Sequence, residues 1–184
     1  MRSLVAVVLL IALSACSRQE ATTSNAAEEG VPKAGVDRAK AGGEAPNAAF
    51  VDTAGKEVRI ADFKGRPVLL NLWASWCAPC VKELPTLDAL GRSRKDGLIV
   101  LAVSQDSGPQ ASVKAFLAKL GVPGLGAFQD PAMRLSGALD AQVLPTSVLY
   151  GADGREVWRY TGDLDWTGAE AAKLLAEAGA PATG

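Results

Sequence analysis

Residues Val68–Trp73 read Val-Leu-Leu-Asn-Leu-Trp, an almost unbroken apolar run, and only Ala74-Ser75-Trp76 separates it from Cys77-Ala78-Pro79-Cys80. A strand that is apolar at successive positions has no face to offer to water, so it must be covered on both sides. The segments around it fit that demand. Residues 78–90 set Val81, Leu84, Leu87 and Leu90 on one side of a helix, and residues 98–103 form a second buried strand. Val113, Phe116, Leu117 and Leu120 return to helical spacing, and Gly121 stops it. A short helix over 132–139, a strand at Thr146–Tyr150, a turn at Asp153-Gly154 and a strand over 156–160 follow. The last helix opens at Thr167-Gly168-Ala169-Glu170, which fits a capping box, and runs on through Leu174 and Leu175. Ahead of the central run, residues 49–60 read as a hairpin of Phe50-Val51 and Val58-Arg59-Ile60 turning at Ala54-Gly55. Helices alternating with buried strands, closed by a hairpin and a helix, predict a three-layer α/β fold without internal repeats.

Residues 1–45 do not share this pattern. Met1-Arg2-Ser3 is a short basic start to an apolar run over residues 4–13, which has the proportions of a signal peptide and is too short to span a bilayer. The run ends in Leu13-Ser14-Ala15-Cys16, which resembles a bacterial lipobox. That resemblance implies a lipoprotein signal peptide over 1–15, cleaved before Cys16, whose sulfur would carry the lipid that attaches the chain to a membrane. Ser17 leaves the inner and the outer membrane both open. Residues 16–45 are rich in Ala, Gly, Glu, Ser, Thr and Lys, a composition that buries too little to fold, so a flexible tether is expected, with a reach of roughly 30 Å. The folded domain is expected over 46–184.

Within the 184 residues, 19 Lys and Arg against 20 Asp and Glu leave a net charge of −1, which gives nucleic acid no basic surface to bind. The chain contains no histidine, so Ser–His–Asp and Cys–His sites, His-ligated metals and imidazole acid–base chemistry are excluded. Of the three cysteines, Cys16 serves as anchor, leaving Cys77 and Cys80. A structural zinc site needs four Cys or His ligands, which this chain does not supply, so neither metal nor cofactor is expected. A purely structural disulfide across so short a loop would constrain the unfolded chain little. Redox exchange is the remaining reading. At the start of a helix, free backbone N–H groups and the dipole favour a thiolate, which makes Cys77 the exposed nucleophile. Cys80, one turn further in, is the buried resolving thiol, the two forming a redox-active disulfide. Pro79 suits the first turn, where its missing N–H is not needed.

The stretch Asn71-Leu72-Trp73-Ala74-Ser75-Trp76-Cys77-Ala78-Pro79-Cys80-Val81-Lys82-Glu83-Leu84-Pro85 resembles the active-site segment of thioredoxin-fold proteins and is most similar to the extracytoplasmic TlpA/ResA-like group. The likeness extends from about Pro46 onward. It implies a thioredoxin-like fold with a central mixed sheet, an N-terminal β-hairpin extension and an extra central segment. Leu144-Pro145-Thr146 matches the loop that carries a cis-proline in this fold, which would set the Leu144 backbone beside Cys77, able to pair with an extended substrate segment. Trp76 is expected to shape the face around the nucleophile, while Trp73 is the better core residue. Glu83 follows Cys80 by three positions and so shares its helix face. ResA-like proteins carry a glutamate here, and such a carboxylate could take the proton of Cys80; a solvated helix residue is the plain alternative. Asn71 stands where cytoplasmic thioredoxins have a buried aspartate, and an amide cannot act as that base. Pro85 is expected to kink the helix and Lys82 to face solvent.

The resemblance implies a thiol–disulfide oxidoreductase on the periplasmic side of a bacterial membrane. It would reduce cysteines of exported proteins, such as those of apocytochrome c or copper sites, with electrons from a membrane thiol–disulfide donor. A thiol oxidase or isomerase is the alternative on the same fold. A peroxiredoxin would carry Thr or Ser where this chain has Ala74, and a Sco-type copper-delivery protein would need Cys-x-x-x-Cys and a distal His. No feature calls for an obligate oligomer, and a monomer is expected.

Overall fold

In the computed structural model, residues 33–93 and 97–179 are described. They belong to the unit Val31–Gly184. Cys16, the signal peptide and the first part of the expected tether lie outside the described residues. The elements are β1 (Gly35–Asp37), β2 (Phe50–Val51), β3 (Glu57–Val58), β4 (Val68–Trp73), α1 (Ala78–Ser93), β5 (Ile99–Ser104), α2 (Gln110–Leu120), β6 (Phe128–Gln129), α3 (Arg134–Leu139), β7 (Thr146–Tyr150), β8 (Glu156–Thr161) and α4 (Ala169–Ala176). They build a mixed sheet in the order β1-β8-β7-β4-β5-β6-β2-β3, with β4, β5 and β6 parallel. Every residue of β4 is buried. Its alternation sends Leu69 and Trp73 into a cluster with Leu84 and Leu87 of α1, Leu117 of α2 and Leu174 of α4. Val68, Leu70 and Leu72 enter a second cluster with Leu135 and Leu139 of α3. The two clusters are why the run has no solvent face, and they make the expected three layers.

Several local expectations are corrected. Residues 35–45, read as tether, join the sheet. Val36 pairs with Tyr160 in the β1–β8 ladder, the Gly42 N–H donates to the Glu156 carbonyl at 2.8 Å, and the Glu156 N–H donates to the Gly43 carbonyl at 2.8 Å. Composition measures what side chains can bury, but the edge of β8 pairs with backbone whatever its side chains. The folded part therefore begins ahead of Pro46. In the hairpin the second strand ends at Val58, and Ile60–Phe63 is a 3-10 turn in which the Arg59 N–H donates to Asp62 Oδ2 at 2.8 Å. The capping box at Thr167 is absent, since Gly168 is the N-cap of α4. Thr167 is held instead by Asp165 Oδ1, which accepts its N–H at 2.9 Å and its hydroxyl at 2.6 Å. Helix α1 continues through Pro85 as far as Ser93.

One buried ion pair supports the approach to the site. Arg159 on β8 gives Nε and Nη2 to the two carboxylate oxygens of Glu156, both at 2.7 Å, and Nη1 to the Leu139 carbonyl at 2.6 Å. The guanidinium thus fastens the end of α3, from which the chain leads to Pro145. Glu156→Ala would leave this cation with the Leu139 carbonyl and the water of the clefts it lines, and is expected to cost about 1–3 kcal/mol in urea unfolding. Asp140→Asn, which loosens the exposed 3.9 Å pair with Lys40, is expected to cost less than about 1 kcal/mol.

Candidate active site

β4 delivers the chain to the helix start that carries both cysteines. The Cys77 carbonyl accepts the Val81 N–H at 3.0 Å, which makes Cys77 the residue that caps α1. Its Sγ accepts the Cys80 N–H at 3.3 Å. Pro79 has no N–H to compete, so the first turn aims the Cys80 N–H at the sulfur. The two cysteines are joined by a disulfide with a Cα–Cα distance of 5.3 Å. Cys77 is only 6% exposed and Cys80 is 0% exposed, so the expected open nucleophile is nearly covered in this oxidised state, though it is still the more accessible of the pair. Access is marked instead by Trp76, 66% exposed.

The loop before Cys77 is fixed from the end of β5. Asp106 accepts the Ser75 N–H at 3.1 Å and the Ser75 hydroxyl at 2.7 Å, and takes the Ser104 hydroxyl at 2.6 Å. A cleft of about 330 Å³ opens here, walled by Trp76, Pro109, Val113 and Phe116. A larger cleft of about 430 Å³ lies between β1 and residues 140–143 and is lined by neither Ser75 nor Trp76, the residues that lead into Cys77. The smaller one is the one that adjoins the chemistry.

The Leu144–Pro145 peptide bond is cis. Leu72 of β4 pairs with Thr146 of β7, so Pro145 arrives at the same end of the sheet as the cysteines. Leu144 packs against the cluster that contains Cys77 and Cys80. The Pro145 carbonyl accepts the Gly162 N–H at 2.9 Å, and Gly162, at φ 101°, holds a backbone shape that other residues rarely adopt.

Glu83 is 3% exposed and enclosed by donors, so it is not the solvated helix residue of the plain alternative. Asn71 Nδ2 donates to Oε1 at 2.7 Å, while Oε2 accepts the Leu164 N–H at 3.1 Å and the Trp166 Nε1–H at 3.0 Å. Burial pushes the carboxyl up from 4.5 to about 7, against the pull of the three donors, and the charge of Asp163 pushes the same way as burial. Asp163 is itself held low by Lys82, which meets it at 2.7 Å. Lys82 faces solvent as expected, but it is paired. The sequence reading missed Leu164 and Trp166, although they alternate with Asp163 and Asp165, a pattern that marks a loop with one side packed on the core. Among the described residues no helix is long and apolar enough to cross a membrane.

A disulfide-forming pair at a helix start, a cis-proline opposite it and a protonatable carboxyl on the same helix are assembled at one end of a mixed sheet. A redoxin domain is matched over residues 40–175. The chain belongs to the redoxin family. Within that family it is 35% identical over 123 residues to the thiol–disulfide oxidoreductase ResA of Bacillus thuringiensis strain Al Hakam, covering 66% of this chain and 70% of that one. The crystal structure of a putative thiol:disulfide interchange protein DsbE from Chlorobium tepidum superposes with a TM-score of 0.64 at 28% identity, covering 76% of this chain and 98% of that one. The pneumococcal exposed lipoprotein thioredoxin from Streptococcus pneumoniae superposes with a TM-score of 0.58 at 27% identity, covering 70% of this chain and 96% of that one. This redoxin is a thiol–disulfide oxidoreductase of the ResA and DsbE type, and its fold is the thioredoxin-like one that its sequence implies.

Proposed function

We propose that the protein is a lipid-anchored, extracytoplasmic dithiol reductase that keeps cysteines of exported proteins reduced, the cysteines of apocytochrome c or of copper sites being the clients its resemblance suggests. The observation that carries this reading is the Cys77–Cys80 pair backed by Glu83, a buried carboxyl whose pKa of about 7 lets it take or hold a proton at neutral pH. In the reduced protein the Cys77 thiolate attacks a substrate disulfide, forming a Cys77–substrate disulfide and releasing one substrate thiolate. Cys80 passes its proton to Glu83 and attacks Cys77 Sγ, which releases the second substrate thiolate and leaves the Cys77–Cys80 disulfide. Trp76, Leu144 and Pro145 are the surface on which the substrate segment would lie. A membrane thiol–disulfide donor would return the pair to the dithiol.

Equilibration with glutathione tests the direction. The potential is expected nearer the roughly −270 mV of dithiol reductants than the roughly −120 mV of strong disulfide oxidants. A value at the oxidising end makes the protein an oxidase. Anchoring is supported by Leu13-Ser14-Ala15-Cys16 and by the likeness to a lipoprotein thioredoxin. Expressed as the full chain in a bacterium fed a labelled fatty acid, the protein is expected to take up label and sediment with membranes. Cys16→Ala is expected to lose both properties. Label retained by that variant would remove the anchor.

A further inference from the structure

We propose that Trp166, together with the Leu164 backbone, is a positioning residue that directs the exchanged proton of Glu83 onto Oε1, where the Asn71 side-chain amide turns over to follow it. The proposal rests on the reading that Glu83 receives the Cys80 proton. That proton leaves Cys80 Sγ as its thiolate forms and becomes bound to one carboxyl oxygen.

The two oxygens of Glu83 are not equivalent. Oε2 faces the Leu164 N–H at 3.1 Å and the Trp166 indole N–H at 3.0 Å. Neither group can accept a hydrogen bond, so a proton on Oε2 would crowd two donors and leave one of them buried without an acceptor. These donors do not move aside easily. Their loop is fastened to α1 a second time, with the Trp166 N–H on Thr86 Oγ1 at 3.2 Å and Asp163 on Lys82 at 2.7 Å. Oε1 faces a different group, the Asn71 amide, whose Nδ2 donates to it at 2.7 Å and also to Ser147 Oγ at 3.0 Å.

An amide can serve either protonation state. Asn71 Oδ1 is buried without a partner. Half a turn of the amide exchanges Oδ1 and Nδ2. Oδ1 then accepts both the new Oε1–H and the Ser147 hydroxyl, which donates where it had accepted. One polar atom of Asn71 is unpartnered in each arrangement, an oxygen in one and a nitrogen in the other, so the proton on Glu83 decides between them. A carboxyl with a pKa of about 7 visits both states near neutrality. The other titratable or charged groups around Glu83 are Asp163 and its partner Lys82, Tyr160 on β8 and Cys80 on its own helix. None of them bonds to Oε1.

The test uses the oxidised protein, in which the cysteines do not titrate, and follows the Glu83 carboxyl by ¹³C NMR as pH is varied. Trp166→Phe keeps the ring and removes a donor whose bond to Oε2 is stronger when the carboxyl is charged than when it is neutral, so the Glu83 midpoint is expected to rise by about one unit. Asn71→Leu removes a partner of both states, so the midpoint is expected to move by less than about half a unit. A fixed amide predicts the reverse order, and a shift for Asn71→Leu as large as for Trp166→Phe overturns the proposal. The unaltered protein gives a second reading should a variant not fold. The Asn71 side-chain N–H signals are expected to shift with the Glu83 midpoint while the Trp166 indole N–H stays hydrogen-bonded, and loss of the indole bond on protonation also overturns it. Failure of the underlying reading looks different. Glu83→Gln with an unchanged pH profile of disulfide reduction removes Glu83 as acceptor, whatever the NMR midpoints show.

Discussion

Replacing Cys77 by serine is expected to abolish the reduction of insulin disulfides, a loss on the order of 10³-fold or more, because a hydroxyl is far weaker than a thiolate as a nucleophile at neutral pH. The serine would still cap α1 and accept the Cys80 N–H, so the variant keeps its fold and the loss is one of chemistry. Cys80→Ser is expected to fail at a later step. Cys77 can still attack, but no thiol stands at the buried position to displace the substrate, and the Cys77–substrate disulfide persists. The position is 0% exposed, so a thiol from solution has no access by that route. On non-reducing gels the variant should run as a higher-mass adduct that reductant dissolves, and mass spectrometry of the adduct would name the client. Full activity of either variant would remove these roles.

The readable and unreadable parts of this molecule divide along a physical line. The central strand, the active-site helix and the α2 stop at Gly121 follow from side-chain burial and local backbone preference, and both are written in sequence. The bounds of β4 and β7 are those that the apolar pattern requires. What the pattern hid is held by backbone. β1 has the three residues Gly35, Val36 and Asp37, with Val36 40% exposed, and is a strand because the edge of β8 lies beside it. β6 is two residues paired to β5 and β2, too short for any period to show. The capping box failed for a related reason. Thr167 had two hydrogen-bonding choices, and Asp165 two residues earlier was the nearer one. At the site, the cysteines were legible because their spacing and helix-start setting carry the chemistry. The carboxyl's environment was not, since Leu164 and Trp166 reach Glu83 from some eighty positions away in the chain, separations of 81 and 83.

That environment makes the stability of the oxidised protein depend on pH in an unusual direction. Glu83 has its pKa raised from 4.5 to about 7, chiefly by burial, so between those values the folded chain binds a proton that the unfolded chain does not. The stability this contributes is fully present below pH 4.5 and is lost as pH rises through about 7. Across the window the loss is expected to approach about 3 kcal/mol, read as a fall in the urea midpoint between pH 5 and pH 8. The other shifted groups among the described residues act outside it: Asp163 and Asp165 are lowered from 3.8, while Lys82, Tyr150, Tyr160 and Arg159, which ordinarily titrate at pH 10 or above, are all raised. Glu83→Gln is expected to remove the slope. Its carbonyl can accept the Leu164 and Trp166 N–H groups, and its amide can donate to a turned Asn71 Oδ1, so the cage is refilled without a charge. At pH 8 that variant should therefore be the more stable protein by up to the same amount, and also the slower reductase, because Cys80 has lost its proton acceptor. A wild-type slope retained in Glu83→Gln would assign the pH dependence to another group and return Glu83 to an ordinary carboxylate. In the proposed mechanism the carboxyl that destabilises the oxidised fold above neutrality is also the acceptor of the Cys80 proton, and replacing it separates the two effects in a single variant.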